Sequence, residues 1–136
     1  MTAGTNADAR PIGVAGAALV GSSLVGGVAS ALGGPNTWAT AWTAEATLAA
    51  PWPMLLAQTA ATCAAISRRR WVARTGSVLL GLTAAVAGVS GFFDGQLGRA
   101  DLSSWHVAGQ VCYIVVACGT VAAVRVWKLR SGGALT

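Results

Sequence analysis

The chain has 136 residues, of which 54% are hydrophobic and 10% are charged, and its formal net charge is +5. A soluble domain usually carries about 25% charged residues, so this composition excludes a well-hydrated soluble surface and also intrinsic disorder. The apolar residues form long uncharged runs, which makes a lipid bilayer their natural solvent.

The first apolar run covers residues 12–32 and contains no charged side chain. At ~1.5 Å per residue, a helix of this length crosses the ~30 Å hydrocarbon core of a bilayer. Small residues recur at every fourth position in two lines: Ala18, Ser22, Gly26 and Ser30, and Gly13, Ala17 and Gly21. Because this spacing lets helix backbones approach closely, we predict a packing helix that contacts its own bundle or another subunit.

A cleaved signal peptide is the alternative interpretation of this run. Ala29-Ser30-Ala31 has the form of a signal-peptidase site, and Arg10 could serve as a minimal basic region before the apolar segment. The apolar segment of a signal peptide usually has ~7–15 residues, and this run is longer. A retained span is therefore favoured, and cleavage would leave three spans.

The second span is expected at about residues 46–66, after an outer loop that contains Trp38, Trp42 and Glu45. The two indoles are spaced for one side of a short helix, which is typical of an aromatic belt, although a lid over an outward-facing pocket is also possible. Residues 51–53 read Pro-Trp-Pro. Since a helix from Pro53 would be too short, we expect it to start near residue 46 and to bend at the prolines. Gln58 should hydrogen-bond another helix.

The third span is expected at about residues 75–93, and small residues again follow one face of it: Ser77, Gly81, Ala84, Ala85 and Gly88. This face is able to pair with the first span.

The fourth span, at about residues 104–126, carries a polar stripe of His106, Gln110, Tyr113 and Thr120. Lipid offers such groups no hydrogen bonds, so we expect the stripe to face other helices or a wet cavity.

The charge distribution predicts the topology. Eight of the nine basic residues, together with Asp8, fall on the side that holds both termini and the turn between spans 2 and 3. The other side has one basic residue, Arg99, and three acidic residues, Glu45, Asp94 and Asp101. By the positive-inside rule, the fold is an all-α integral membrane protein with four transmembrane helices in an antiparallel bundle and cytoplasmic N and C termini. It forms a single domain over residues 1–136 and is expected in the plasma membrane as a multi-pass protein.

The basic residues of the central turn are Arg68, Arg69, Arg70 and Arg74. Because they flank apolar spans, we interpret them as a topology anchor that contacts anionic lipid headgroups. The same placement argues against a nucleic-acid partner. The three cysteines lie inside apolar spans and form no CxxC pair, so they predict neither a disulfide framework nor a thiol redox site.

An acid–base site is one candidate for chemistry. Asp94, His106 and Glu45 are predicted on the outer side, where desolvation and neighbouring charge could tune a general acid or base. Aromatic and polar side chains that could line an apolar ligand pocket are Trp52, Phe92, Phe93, Trp105, Gln110 and Tyr113. Such a site would suit an isomerase, an epoxide-opening enzyme or a prenyl or terpene cyclase.

Two classes of function therefore stay open. The first is a membrane subunit or a binder of a lipophilic small molecule, with a homo-oligomer or a membrane partner protein, and the small-residue faces favour it. The second is the membrane-embedded enzyme with an apolar substrate. A single histidine and separated cysteines predict no metal site and no cofactor.

Overall fold

The computed structural model describes residues 10–33, 36–44, 46, 49–93 and 104–132. The described part of the chain contains four helices: α1 (Arg10–Gly33), α2 (Trp52–Ala65), α3 (Arg70–Phe93) and α4 (Ser104–Gly132). Of these, α1, α3 and α4 are long and apolar enough to cross a membrane. The all-helical prediction is confirmed.

The helices form an antiparallel bundle in which each helix packs against two neighbours. Gly13 lies against Ile66 and Gly16 against Thr62, so α1 and α2 run in opposite directions. Along α3 and α4, Gly81 lies beside Val124 and Gly91 beside Ile114, which gives the same relation.

Helices α1 and α3 lie on a diagonal of the bundle and scarcely touch. The small-residue face of α3 packs instead on α2 and α4, through Gly76 beside Ala65 and Gly88 beside Ala117. The expected pairing of span 1 with span 3 is therefore wrong. Sequence spacing shows that a face is small, but it does not show which neighbour the connections place against it.

Helix α2 differs most from its predicted span. It has 14 residues and begins at Trp52, with Pro51 at the N-cap and Pro53 in the first turn. The expected helical start near residue 46 is wrong, because described residues 46 and 49–51 are not helical. Proline is compatible with a first helical turn, where its missing N–H has no partner to lose, so the prolines begin this helix and do not bend it.

The interior of the bundle is built from small side chains. Its core cluster is Ile12, Leu19, Ala61, Ala65, Leu80, Ala84 and Ala117. Many of the larger apolar side chains point outward, including Leu24, Leu56, Leu82 and Val115. Small residues inside and large apolar residues outside is the arrangement expected of helices that pack within lipid.

The buried face of α1 is displaced from the predicted one. Gly16, Leu19, Ser23 and Gly27 are buried, whereas Ala18 of the predicted line is exposed. Neither predicted small-residue line forms this face: the bundle buries a different line, which includes the bulky Leu19 and meets the predicted lines only at Ser30.

Candidate functional site

A cavity of about 170 Å³ lies at the end of the bundle where α3 ends and α4 begins. Its lining comes from the loop before α2 and from three helices: Ala44, Ala46, Ala49, Ala50, Pro51, Met54, Ala87, Ser90, Gly91, Gln110 and Tyr113. The charge pattern of the sequence predicts that this end, here called the outer end, faces the outer side of the membrane.

The described residues of segment 36–51, here called the outer loop, are held against the bundle by three contacts. The Trp42 indole fills the space over Gly27 so closely that a side chain at residue 27 would collide with it. The Trp52 amide donates a hydrogen bond to the Trp42 carbonyl over 2.9 Å. The Ala50 amide donates to Ser23 Oγ over 2.7 Å, in a buried position. The loop therefore forms one wall of the cavity and is tied to α1.

The outer loop also stacks three indoles. The ring centroids of Trp38 and Trp42 are 6.3 Å apart, and those of Trp42 and Trp52 are 6.4 Å apart. These separations are in the range of favourable aromatic pairs. The stack connects the loop to the first turn of α2, so it reinforces the same wall.

Helix α4 presents much of its polar stripe to the bundle, as predicted. The buried Gln110 amide donates from Nε2 to the Gly91 carbonyl of α3 over 3.0 Å. The Thr120 hydroxyl lies 2.9 Å from the Val116 carbonyl and 3.4 Å from the Ala15 carbonyl of α1. Gln110 thus fixes the cavity wall at one end of α4, and Thr120 connects α4 to α1 further in.

Three polar side chains meet next to the cavity: Ser23 of α1, Gln58 of α2 and Tyr113 of α4, here called the polar trio. The Tyr113 hydroxyl lies within hydrogen-bonding reach of Gln58 and Ser23, but its geometry to them, and that of both polar atoms of the Gln58 amide, departs from that of a regular hydrogen bond. The Gln58 side chain is 0% exposed. The expected contact of Gln58 with another helix is therefore present, to Tyr113 of α4, but without regular hydrogen-bond geometry.

The predicted acid–base residues are placed only in part. His106 is half-buried near the start of α4. Glu45 and Asp94 lie outside the described residues, as does the side chain of Phe92. The acid–base hypothesis accordingly stays a prediction.

Of the predicted ligand-lining residues, the structure brings Gln110 and Tyr113 to the cavity and leaves three aromatic residues away from its wall. Phe93 is 83% exposed and Trp105 is 86% exposed on the outside of the bundle. Trp52 is also exposed, and it stacks on Trp42.

Sequence reasoning missed Ser23, Ala50 and Met54. Ser23 is one of several small polar residues on α1, and its spacing alone did not separate it from Ser22. The helical period shared by buried Gly16, Leu19, Ser23 and Gly27 is the signal that could have found it.

The cavity volume bears on what could occupy the site. An engineered cavity of about 150 Å³ accepts benzene, whereas pockets for drug-sized ligands have about 300–1,000 Å³. The described cavity is therefore suited to one ring or the end of a larger molecule, and it is too small for a folded prenyl chain. Among the described residues, no group of three His, Cys, Asp or Glu side chains could hold a metal ion.

Comparison with protein-family models, curated proteins and solved structures found no match.

Proposed function

We propose that this protein is a four-span plasma-membrane protein that binds a lipophilic small molecule in the outer cavity. The observation that carries the proposal is the short α2. Its 14 helical residues extend only ~21 Å at 1.5 Å per residue, which is less than the ~30 Å hydrocarbon core. The outer loop takes the place of the missing turns and lines the cavity.

Non-helical backbone at membrane depth is tolerated only where it is buried in protein or lines a cavity, because lipid cannot satisfy its N–H and C=O groups. The outer loop meets these conditions in part, because it lines the cavity, whereas residues 37–39, 43 and 44 are exposed. Ala41 and Ala50 are buried, and the Ala50 amide is bonded to Ser23. A continuous helix would have been the simpler way to span the bilayer, so the interrupted form supports a binding role for this end of the bundle.

The charge pattern supports the orientation of this site. With both termini and the 66–69 turn in the cytoplasm, the cavity opens toward the outer leaflet. In this orientation the exposed arginines 68, 69, 70 and 74 contact anionic headgroups of the inner leaflet. A lipophilic ligand would reach the cavity from the bilayer or from the outer surface.

The proposal is tested by small molecules that co-purify with the protein. The protein is purified in mild detergent, and the extracted small molecules are quantified by mass spectrometry beside native mass spectra. Ala49→Trp fills the cavity from the loop side, and Ala60→Trp places the same indole on an exposed position of α2. We expect a stoichiometric molecule in the wild type and in Ala60→Trp and at least a tenfold loss in Ala49→Trp.

Equal amounts in all three proteins, or no stoichiometric molecule in any of them, would overturn the binding proposal. A bare homo-oligomer or a co-purifying protein would then favour the second candidate, a packing subunit. That candidate rests on the exposed small residues Ala17 and Ala18 of α1, which leave a surface for close helix approach outside the bundle.

A further inference from the structure

We infer that the polar trio selects the ligand, and that the ligand is an uncharged molecule whose hydroxyl or carbonyl oxygen hydrogen-bonds to Tyr113 and Gln58 while its apolar body fills the outer cavity. The inference rests on the proposed function and specifies its chemistry. Its basis is a buried group of polar side chains that lack regular hydrogen-bond geometry and lie directly beside a cavity.

Burial of the polar trio has a free-energy cost. A buried amide or hydroxyl without a hydrogen-bond partner destabilises a folded protein, and lipid removes the alternative of bonding to water. Gln58 is fully buried, and the Tyr113 hydroxyl is buried beside it. Buried polar groups of this kind call for an explanation by a ligand, a water or a functional strain.

The polar trio is connected to the wall of the cavity. Tyr113 lines the cavity with its ring and turns its hydroxyl toward Gln58 and Ser23. Ala50 also lines the cavity, and its amide bonds Ser23. Tyr113 therefore belongs to both the cavity wall and the polar trio, and Ala50 of the cavity wall is bonded directly to Ser23 of the trio.

The side chains around the cavity favour an uncharged ligand. The described residues that line the cavity or form the trio include no charged side chain. The described residues therefore offer no opposite charge to balance a charged ligand, and burial of an unbalanced charge is costly. An amide that can donate and accept, beside a phenol that can do both, instead matches a neutral hydroxyl or carbonyl.

The test uses two matched probes of one-ring size, 4-fluorophenol and fluorobenzene, which differ only by the hydroxyl group. Their binding to the protein in lipid nanodiscs is followed by ¹⁹F NMR, with empty nanodiscs as the partition reference. The proteins are the wild type, Gln58→Met, Tyr113→Phe, the cavity-filled Ala49→Trp, and the control Thr59→Val. Thr59 is the exposed neighbour of Gln58, and its hydroxyl bonds the Leu55 carbonyl of its own helix.

We expect the wild type and Thr59→Val to bind 4-fluorophenol at least tenfold more tightly than fluorobenzene, and Gln58→Met and Tyr113→Phe to lose this preference while they still bind fluorobenzene. Equal affinity for both probes in the wild type would overturn the role of the trio and leave the cavity proposal standing. Binding of neither probe above the level of Ala49→Trp would overturn both. The wild-type preference needs no variant, so a poorly folded variant does not remove the test.

Discussion

The two ends of this bundle, the outer end at the cavity and the inner end at the 66–69 turn, are packed in different ways. At the inner end, near the 66–69 turn, helices approach closely at glycine residues: Gly16 lies against the side chain of Thr62, and Gly76 lies against the backbone of Ala65. At the outer end, a non-helical loop replaces part of α2, a cavity of about 170 Å³ remains, and the polar trio is left without complete hydrogen bonding.

We infer from this difference that the inner end stabilises the fold, whereas the outer end is adapted for binding. The inner end has the close small-residue packing that holds helices together in lipid, where no hydrophobic effect drives them to associate. The outer end has fewer close contacts and incomplete hydrogen bonds, and such a local loss of stability is typical of functional sites. We therefore expect substitutions at the two ends to change different properties.

The largest effect is expected at Gly76. A methyl group on residue 76 would collide with the backbone of Ala65 on α2, which cannot move aside as a flexible side chain can. We expect Gly76→Ala to lower the free energy of unfolding by about 3 kcal/mol, at the upper end of overpacking effects. Thermal melting in detergent measures it.

The matched control is Gly119→Ala on α4, where nothing lies within 4 Å of the added methyl. Since alanine is favoured over glycine inside a helix by about 1 kcal/mol, this variant should be neutral or slightly more stable. Similar melting temperatures for the two variants would contradict the close packing of the inner end.

A smaller effect is expected at Gly27. An added methyl group meets the Trp42 indole, which is a side chain of a non-helical loop and not the backbone of a packed helix. We expect Gly27→Ala to lower the free energy of unfolding by about 1 kcal/mol, at the low end of overpacking effects. It should also increase proteolysis within the outer loop. Gly21→Ala on the same helix has no neighbour within 4 Å and should leave the loop protected.

A gain of stability is expected at Gln58. Methionine has a similar length and no polar group to satisfy, so Gln58→Met should raise the free energy of unfolding by about 1 kcal/mol. Gln110→Met removes a hydrogen bond to the Gly91 carbonyl and should lower it by about 1 kcal/mol. If both variants are destabilised equally, Gln58 is bonded like Gln110 and the outer end is not under-satisfied.

The smallest effect concerns the thiols, which test the membrane position of α2. Cys63 and Cys118 are both exposed on the bundle surface, but Cys63 lies close to the 66–69 turn and Cys118 lies in the interior of α4. Thiolates form poorly in hydrocarbon. In proteoliposomes, a single-cysteine protein with Cys63 should react faster with maleimide than one with Cys118. The reverse order would contradict the proposed position of α2.

The sequence predicts the helices well where hydrophobicity alone decides them. The uncharged runs predicted α1, α3 and α4, and the helical spacing of Gln110 and Thr120 correctly predicted that they face the bundle. These features depend on the chain itself and on the solvent around it.

The cavity could not be predicted in the same way, because it depends on how the connections place the helices. The prolines at 51 and 53 were compatible with a bent helix or with a late start, and only the bond from Ala50 to Ser23 shows why the loop stays folded against α1. The roles of Ser23 and Gln58 likewise follow from neighbours far away in the sequence. The outer acidic residues Glu45 and Asp94 lie outside the described chain and stay predictions.

The most direct test of the central claim is photo-crosslinking from inside the cavity. An aliphatic diazirine amino acid of methionine size in place of Met54 keeps the cavity open and reacts with whatever occupies it in cells, and the same group in place of the exposed Leu56 samples the surrounding lipid. We expect mass spectrometry to find one small neutral adduct with a hydroxyl or carbonyl group at position 54 and ordinary phospholipid at position 56. The same phospholipid adducts at both positions would contradict the central claim.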